Sequence, residues 1–466
     1  MRKLLLAAVL SVSLVGSVSG HLARRINGII RQPSQSKVQF CIHIVKADSG
    51  KTVYNRNAHH ALVPASNMKI ITTAAALKFL GPDYEYKTKV GLCGKTLVVV
   101  GNGDPLLGDK ATDAKHGRKN GWIFEDIARV LKNNGVTSVK DIIVDSSAFD
   151  DQRVHPNWPK EDLNKWYACE VSGLNFNANC IEVIAKNLGG NVVVTIEPQT
   201  SFVSVVNEVV PMNNGRGVIG AYRNQEPNKI IVKGKCENQV GPFAVAIERP
   251  AAFFGYLLAE NLQKSGISTQ GRLIEKVLAQ DCNFRALAEY STPIADCLAR
   301  SNKDSLGLAA EALLKTIAAD ARADKKNGSW VGGCEVISRY LLELGVGEAE
   351  FYIDDASGLS RHNKLSANTI TTVLLDVYQS SCWETYKHSL AVGGVDGTIG
   401  RYFKEKQYKG RILGKTGYIR RVKSFSGSCT TTEGDYLFSI LANNTNGRTR
   451  AAINDIAKAI VDHAGT

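Results

Sequence analysis

Pro64-Ala65-Ser66-Asn67-Met68-Lys69-Ile70-Ile71-Thr72-Thr73-Ala74-Ala75-Ala76-Leu77 is the stretch on which the reading of this 466-residue chain turns. A proline and an alanine open it, and an unbroken apolar and small-residue run follows Lys69. That pattern predicts a buried helix from about Ala65 to Leu80, ended by Gly81-Pro82. Ser66 and Lys69, three residues apart, share one face of such a helix and can touch. Serine is a poor nucleophile at neutral pH until a neighbouring base takes its proton. A place near a helix N-terminus also supplies free N–H groups that favour developing negative charge. Far downstream, Lys415-Thr416-Gly417 brings a second amine on what reads as a strand.

Composition sets the class. With 44% hydrophobic and 22% charged residues the chain is ordinary globular protein, long enough for two or three domains. It begins Met1-Arg2-Lys3, runs apolar from Leu4 to Val15 and closes on Val18-Ser19-Gly20, the pattern of a secretory leader cleaved just after Gly20. The apolar run is too short to span a bilayer. Ser17 stands where a lipoprotein leader would want cysteine. The mature protein is therefore expected to be exported, periplasmic or otherwise extracytoplasmic, and soluble or loosely held at a wall or membrane surface. A formal charge of +13 suits an anionic wall polymer, yet no run of five basic residues occurs, so the excess reads as dispersed and solubilising. No nucleic-acid recognition motif is present, and no nucleic-acid partner is expected.

Ten cysteines in an exported chain permit disulfides. Cys169 with Cys180, close in sequence around a loop, is the first pair to expect, against the alternative that several cysteines are buried free thiols. No C-x-x-C or H-E-x-x-H spacing occurs, so neither a metal nor a redox site is expected. His59-His60 lies in a polar turn and reads as solvated.

Val38 to Ala47 alternates like a strand, Asp48-Ser49-Gly50-Lys51 turns, and Thr52-Val53-Tyr54 returns. From about Tyr84 to Gln270 the texture becomes β-rich. Thr96 to Val100, Asp141 to Val144, Asn191 to Ile196 and Lys229 to Val232 are separated by Gly/Asn/Asp turns, with one helix from Trp122 to Asn133. Helices resume over Pro250 to Gly266, Leu306 to Arg322 and about Ser329 to Leu344. A strand (Tyr436 to Asn443) and a closing helix (Arg450 to Ala464) follow. The organisation expected is a leader over residues 1–20, a discontinuous domain over 21–83 and 271–466, and one or two β-rich insertions over 84–270.

S-x-x-K, a serine-led triplet and K-T-G together mark serine penicillin-binding enzymes. Here Ser305-Leu306-Gly307, in a loop entering a helix, stands where the triplet is wanted. At this point the chain resembles the penicillin-binding D-alanyl-D-alanine carboxypeptidase/endopeptidases of the low-molecular-mass type with inserted domains. Gly101-Asn102-Gly103-Asp104-Pro105-Leu106-Leu107, Asp145-Ser146-Ser147-Ala148-Phe149 and Val171-Ser172-Gly173-Leu174-Asn175 look like its inserted-domain markers. Ala356-Ser357-Gly358-Leu359-Ser360-Arg361 and Gly393-Gly394-Val395-Asp396-Gly397-Thr398 look like its later motifs.

The resemblance implies an α/β (α+β) fold, with a β-lactamase/transpeptidase-like antiparallel sheet flanked by helices. It implies acyl transfer on the D-Ala-D-Ala end of peptidoglycan stem peptides and on D,D-cross-links, with β-lactam antibiotics as inhibitors and no cofactor. Ser66 would attack the scissile carbonyl, Lys69 would act as base, and Ser305 would relay the proton to the leaving amine. Lys415 and Thr416 would hold the terminal carboxylate. Ser66 and Tyr418 would offer backbone N–H groups to the oxyanion, and Gly417 would let substrate lie against the strand. Asp145 and Arg361 match segments that help form a pocket for the substrate's peptide side chain in relatives. As bare residues they read equally as a turn aspartate and a salt-bridged surface arginine.

One departure stands out. The triplet's third residue, asparagine in the family, is Gly307 here. Losing a hydrogen bond to a charged group costs roughly 1.5–3 kcal/mol, about ten- to 150-fold in rate. A slowed or retuned enzyme is expected, with a water or the Asn302 side chain filling the gap. A β-lactamase and a non-catalytic wall-binding homologue are the competing readings.

Overall fold

The computed structural model describes residues 20–279, 281–321 and 327–463. The leader expected over residues 1–20 lies outside them, Gly20 apart. The chain divides into two compact units. One runs through Pro82 and takes back Leu298–Leu306 and Cys334–Thr466, and the other holds Asp83–Cys297 and Gly307–Gly333.

The first unit is built on a six-stranded sheet, paired antiparallel throughout. Its order is Ala391–Val392, Ile412–Ile419, Val422–Thr431, Gly434–Asn443, Gln39–Lys46 and Thr52–Arg56. The N-terminal strand thus closes onto the C-terminal one, Phe40 opposite Ala442 and Ile44 opposite Phe438. Covering both faces with helices explains why Gln39–Lys46 is buried at nearly every position instead of alternating. Phe40, Ile42 and Ile44 pack with Phe425, Phe438 and Ile440 against Ile453, Ile456 and Ile460 of the closing helix Thr449–His463. The helices Met68–Leu80 and Ala367–Gln379 lie on the opposite face, where His43 is held between Thr371 Oγ1 (2.6 Å) and Thr52 Oγ1 (3.0 Å). Burial pushes the His43 imidazole down to about 4, so this ring is a neutral core group.

The second unit carries a five-stranded sheet ordered Leu273–Glu275, Ile142–Asp145, Thr96–Val100, Glu85–Cys93 and Phe284–Pro293. Two three-stranded sheets fall in sequence between its strands Ile142–Asp145 and Leu273–Glu275: Val218–Arg223/Lys229–Cys236/Ser204–Pro211 and Gln239–Ala246/Cys180–Leu188/Asn191–Glu197. Helices Trp122–Asn133 and Pro250–Lys264 bury Phe124, Ile127, Phe253, Phe254 and Leu258 in its core. The unit also takes in the strand Phe284–Pro293 and the helix Gly307–Ala321, which lie outside the β-rich span expected over 84–270. The expected Cys169–Cys180 bond is not made. Both are buried thiols, and the disulfide is Cys93–Cys282, which staples neighbouring strands 189 residues apart in sequence. Proximity in sequence was the misleading cue: Cys93 ends one strand opposite Phe284, and Cys282 stands two residues before that partner strand begins. Among the described residues no helix is long and apolar enough to cross a membrane.

Candidate active site

The stretch from Pro64 does not start as an α-helix. Ala65–Asn67 form a 3-10 turn, Ala65 at φ +48°, and the α-helix runs Met68–Leu80 until Gly81 at φ +83°. Ser66 therefore sits half-buried in a tight turn just before the helix. Lys69, in its first turn, is 2% exposed. Its Nζ stands 3.4 Å from Ser66 Oγ and donates to the Ser357 carbonyl at 2.8 Å.

Glycines let the surrounding backbone close on that turn. Gly358, at φ +80°, lies so close that a Cβ would come within 1.8 Å of the Ala65 carbonyl oxygen. Asp355 fixes its loop by accepting from the Gly358 and Ser360 N–H groups and from Asn363 Nδ2, each at 2.7 Å. On the other side Gly417 approaches the Ser66 nitrogen. A Cβ there would reach Ser424 Oγ at 2.1 Å, Pro64 O at 2.9 Å and Ser66 N at 3.0 Å.

The strand Ile412–Ile419 alternates as strands do. Lys415 and Gly417 turn inward and are buried, whereas Thr416 is half-buried and Tyr418 is 68% exposed. Lys415 Nζ donates to the Thr416 carbonyl at 2.9 Å. Burial lowers its pKa well below the ordinary lysine value, the nearby Lys69 and Arg450 cations lower it further, and Asp304 opposes them. Two buried amines that repel one another make an electrostatic demand for an anion.

Asn67 locks the strand to the serine turn. It is fully buried, donates through Nδ2 to the Lys415 carbonyl at 2.5 Å and accepts from Ser426 Oγ at 2.9 Å. Arg450 holds the same strand from behind, Nη2 to the Gly417 carbonyl at 3.0 Å and Nη1 to that of Ser424 at 3.2 Å. Neither residue was singled out from sequence. The signal for Asn67 was an amide placed between Ser66 and Lys69, where a side chain must face the core.

Ser305 lies half-buried in the link between helices Ile294–Asn302 and Gly307–Ala321, at φ +63°, an uncommon conformation for a residue with a Cβ. The link is held by a Lys303–Asp396 ion pair at 2.5 Å and by Thr398 N–H donating to the Lys303 carbonyl at 3.0 Å. Thr398 in turn bonds Thr416 through their hydroxyls at 2.9 Å. The loop of Asp396-Gly397-Thr398 thus ties the Ser305 link to the Lys415 strand.

Asn302 does not serve the gap left by Gly307. It is fully buried, and its amide donates to Ser389 Oγ (2.9 Å) and Thr73 Oγ1 (3.2 Å), so it is spent on helix packing. Arg361 is exposed, its guanidinium on the Arg420 carbonyl at 2.7 Å. Asp145, in the other unit, is buried, and its carboxylate accepts from the Ser147 N–H (2.9 Å) and the Leu278 N–H (2.7 Å). His59 pairs with Glu350 at 3.0 Å.

Set against known proteins, residues 22–464 match the profile of the D-Ala-D-Ala carboxypeptidase 3 (S13) family. A D-alanyl-D-alanine carboxypeptidase from Actinomadura sp. (strain R39) is 28% identical, over 95% of this chain and 85% of the relative. Among solved structures, penicillin-binding protein 4 from Haemophilus influenzae superposes with a TM-score of 0.78 at 22% identity, covering 94% of this chain and 98% of that one. The same protein complexed with a β-lactam gives 0.73 at 21%, over 94% and 98%. A predatory peptidoglycan endopeptidase from Bdellovibrio bacteriovorus gives 0.51 at 15%, over 92% and 94%.

Proposed function

The chain belongs to the D-Ala-D-Ala carboxypeptidase 3 (S13) family and is a serine-type D-Ala-D-Ala carboxypeptidase; from that premise we propose that its acyl-enzyme forms on Ser66 and that it also opens D,D-cross-links. The observation that carries this assignment is Lys69 Nζ, buried and 3.4 Å from a half-buried Ser66 Oγ at the opening of a helix.

Substrate approaches with the terminal D-alanine carboxylate toward Lys415 and Thr416. An anion there offsets the repulsion that the buried amines impose on each other. Ser66 Oγ forms a bond to the penultimate D-alanine carbonyl carbon as its proton passes to Lys69, the base in this reading, which the Ser357 carbonyl holds in place. The oxyanion is met by the N–H groups of Ser66 and Tyr418, which the missing side chain at 417 allows to lie close together. The C–N bond then breaks, and the leaving amine takes its proton through Ser305. Water repeats the sequence in reverse and frees the acid. Stem peptides and D,D-cross-links of peptidoglycan are the substrates in this reading, and β-lactams acylate the same serine. The family and the β-lactam complex of the Haemophilus protein support both. The leader-like N-terminus supports export to the compartment where that polymer lies.

The test is a fluorescent penicillin incubated with the purified protein and with Ser66→Ala. A covalent band lost in Ser66→Ala, together with D-alanine release from a pentapeptide, is expected. Rapid turnover of the drug would point to a β-lactamase. Neither labelling nor release would leave a wall-binding homologue.

A further inference from the structure

The strand that carries Lys415 opens on a second cleft of about 640 Å³, whose walls hold Thr416 and Tyr418 together with Arg401, Lys423 and Arg450. No acidic residue lines it. Among the described residues none of those three cations has a carboxylate within salt-bridge distance. Lys423 donates to the Asn446 carbonyl, Arg450 to two backbone carbonyls, and the Arg401 guanidinium lies 4.9 Å from the Tyr402 ring centre. Burial and the neighbouring Arg450 push the Lys423 amine down, and burial does the same to Arg450, with Tyr402 opposing and Arg401 adding repulsion. The adjoining cleft, which shares Arg401, Tyr402 and Arg450, is treated differently. There Lys458 has its own acid, Glu405, at 2.5 Å. Glu405 and Asp455 line that adjoining cleft, whereas the first cleft gathers Arg401, Lys423 and Arg450 with no acid in its wall.

We propose that the cleft bounded by Thr398, Arg401, Tyr402, Thr416, Lys423 and Arg450 binds a second anionic group carried on the leaving amine, the distal stem peptide of a D,D-cross-link. The direction follows from Thr416. Its hydroxyl, bonded to Thr398, is the group assigned above to the terminal carboxylate, so whatever lies beyond it in this cleft belongs to the departing side. A single D-alanine offers one carboxylate and leaves the three cations unmatched. A departing strand that continues through its side chain and bears a further carboxylate meets them. The size is sufficient, because ligand pockets begin at about 300 Å³. Guanidinium and ammonium donors confer charge-assisted selectivity for such a group. This inference rests on the acyl-transfer reading and names the substrate class that the same site prefers.

The experiment uses the full protein and two synthetic substrates with one acyl portion. One releases D-alanine, and the other releases D-2-aminoadipate, with its ω-amide as the neutral control. The wild type should favour the diacid over the ω-amide by about tenfold in kcat/KM, and the preference should shrink as salt rises. Arg401→Ala and Lys423→Ala, and more strongly Arg401→Glu, should each reduce the diacid-to-amide ratio severalfold through KM. A wild-type ratio near one, or a ratio that the variants leave in place, would overturn the subsite while D-alanine release and penicillin labelling persist. Absence of both release and labelling would instead sink the acyl-transfer reading itself, and the subsite with it.

Discussion

Lys315 and Lys415 are both fully buried, one in each unit, and are treated in opposite ways. Lys315 donates to Asp150 at 2.6 Å and to the Gln152 carbonyl at 2.7 Å, and its amine sits 3.9 Å from the centre of the Trp330 ring. Gly328 and the Phe149 ring complete the wall. Burial still lowers its pKa, but the Asp150 carboxylate pulls the other way. Lys415 has one acceptor among the described residues, its neighbour's carbonyl, and the closest charges are other cations. A buried charge that is paired and hydrogen-bonded is a structural part; one held without a counter-ion carries a cost that folding alone does not explain. The contrast separates scaffold from chemistry without reference to any motif.

The comparison breaks most sharply on removal of each amine. Lys415→Met should lower the penicillin acylation rate about 10²–10³-fold and leave the melting temperature unchanged or raised, because an uncompensated buried cation becomes an apolar side chain. Stopped-flow acylation beside thermal denaturation checks both halves, and a large drop in melting temperature would place Lys415 with Lys315.

Lys315→Met should do the reverse. Acylation stays within a few-fold of wild type while stability falls by about 1–3 kcal/mol, since Asp150 loses its partner; Asp150 is a third exposed, and water recovers part of the cost. Urea denaturation measures it. Asn67→Ala probes the clamp on the Lys415 strand. Losing its two hydrogen bonds should cost about 1–3 kcal/mol in stability and show in kcat more than in KM.

Solution pH should sharpen the same pair. Both amines have folded-state pKa values below that of a lysine in the unfolded chain, near 10.4. Between the folded and unfolded values the unfolded chain binds the extra proton, so stability rises with pH across that window. Wild type should therefore gain on Lys415→Met as pH climbs from 7 toward 10, and gain less on Lys315→Met. A gap that widens in favour of Lys415→Met would show the sign to be wrong.

Much of this was legible in the residues. The serine–lysine spacing, the strand around Lys415 and the helices Trp122–Asn133 and Trp330–Glu343 were readable from local period and turn chemistry. Less visible were Glu85–Cys93, Cys180–Leu188 and Ser204–Pro211; the first puts Glu85, Lys87 and Lys89 on its outward positions, and the last buries only Val209. The disulfide was misassigned because Cys93 and Cys282 meet only through strand pairing. Asn302, the candidate to replace the absent amide at position 307, turned out to be held by Thr73 and Ser389, partners 229 and 87 residues away.

The order of motifs along the chain determined the family and the fold class, because each motif is a local agreement between residue type and backbone shape. Tertiary structure alone decided which charges face one another. The cations of the second cleft come from a loop, a strand and a closing helix, and nothing in their separate surroundings marks them as neighbours. Electrostatic energy depends on distance through space and on the dielectric between groups. Both are set only when the sheet closes and water is excluded.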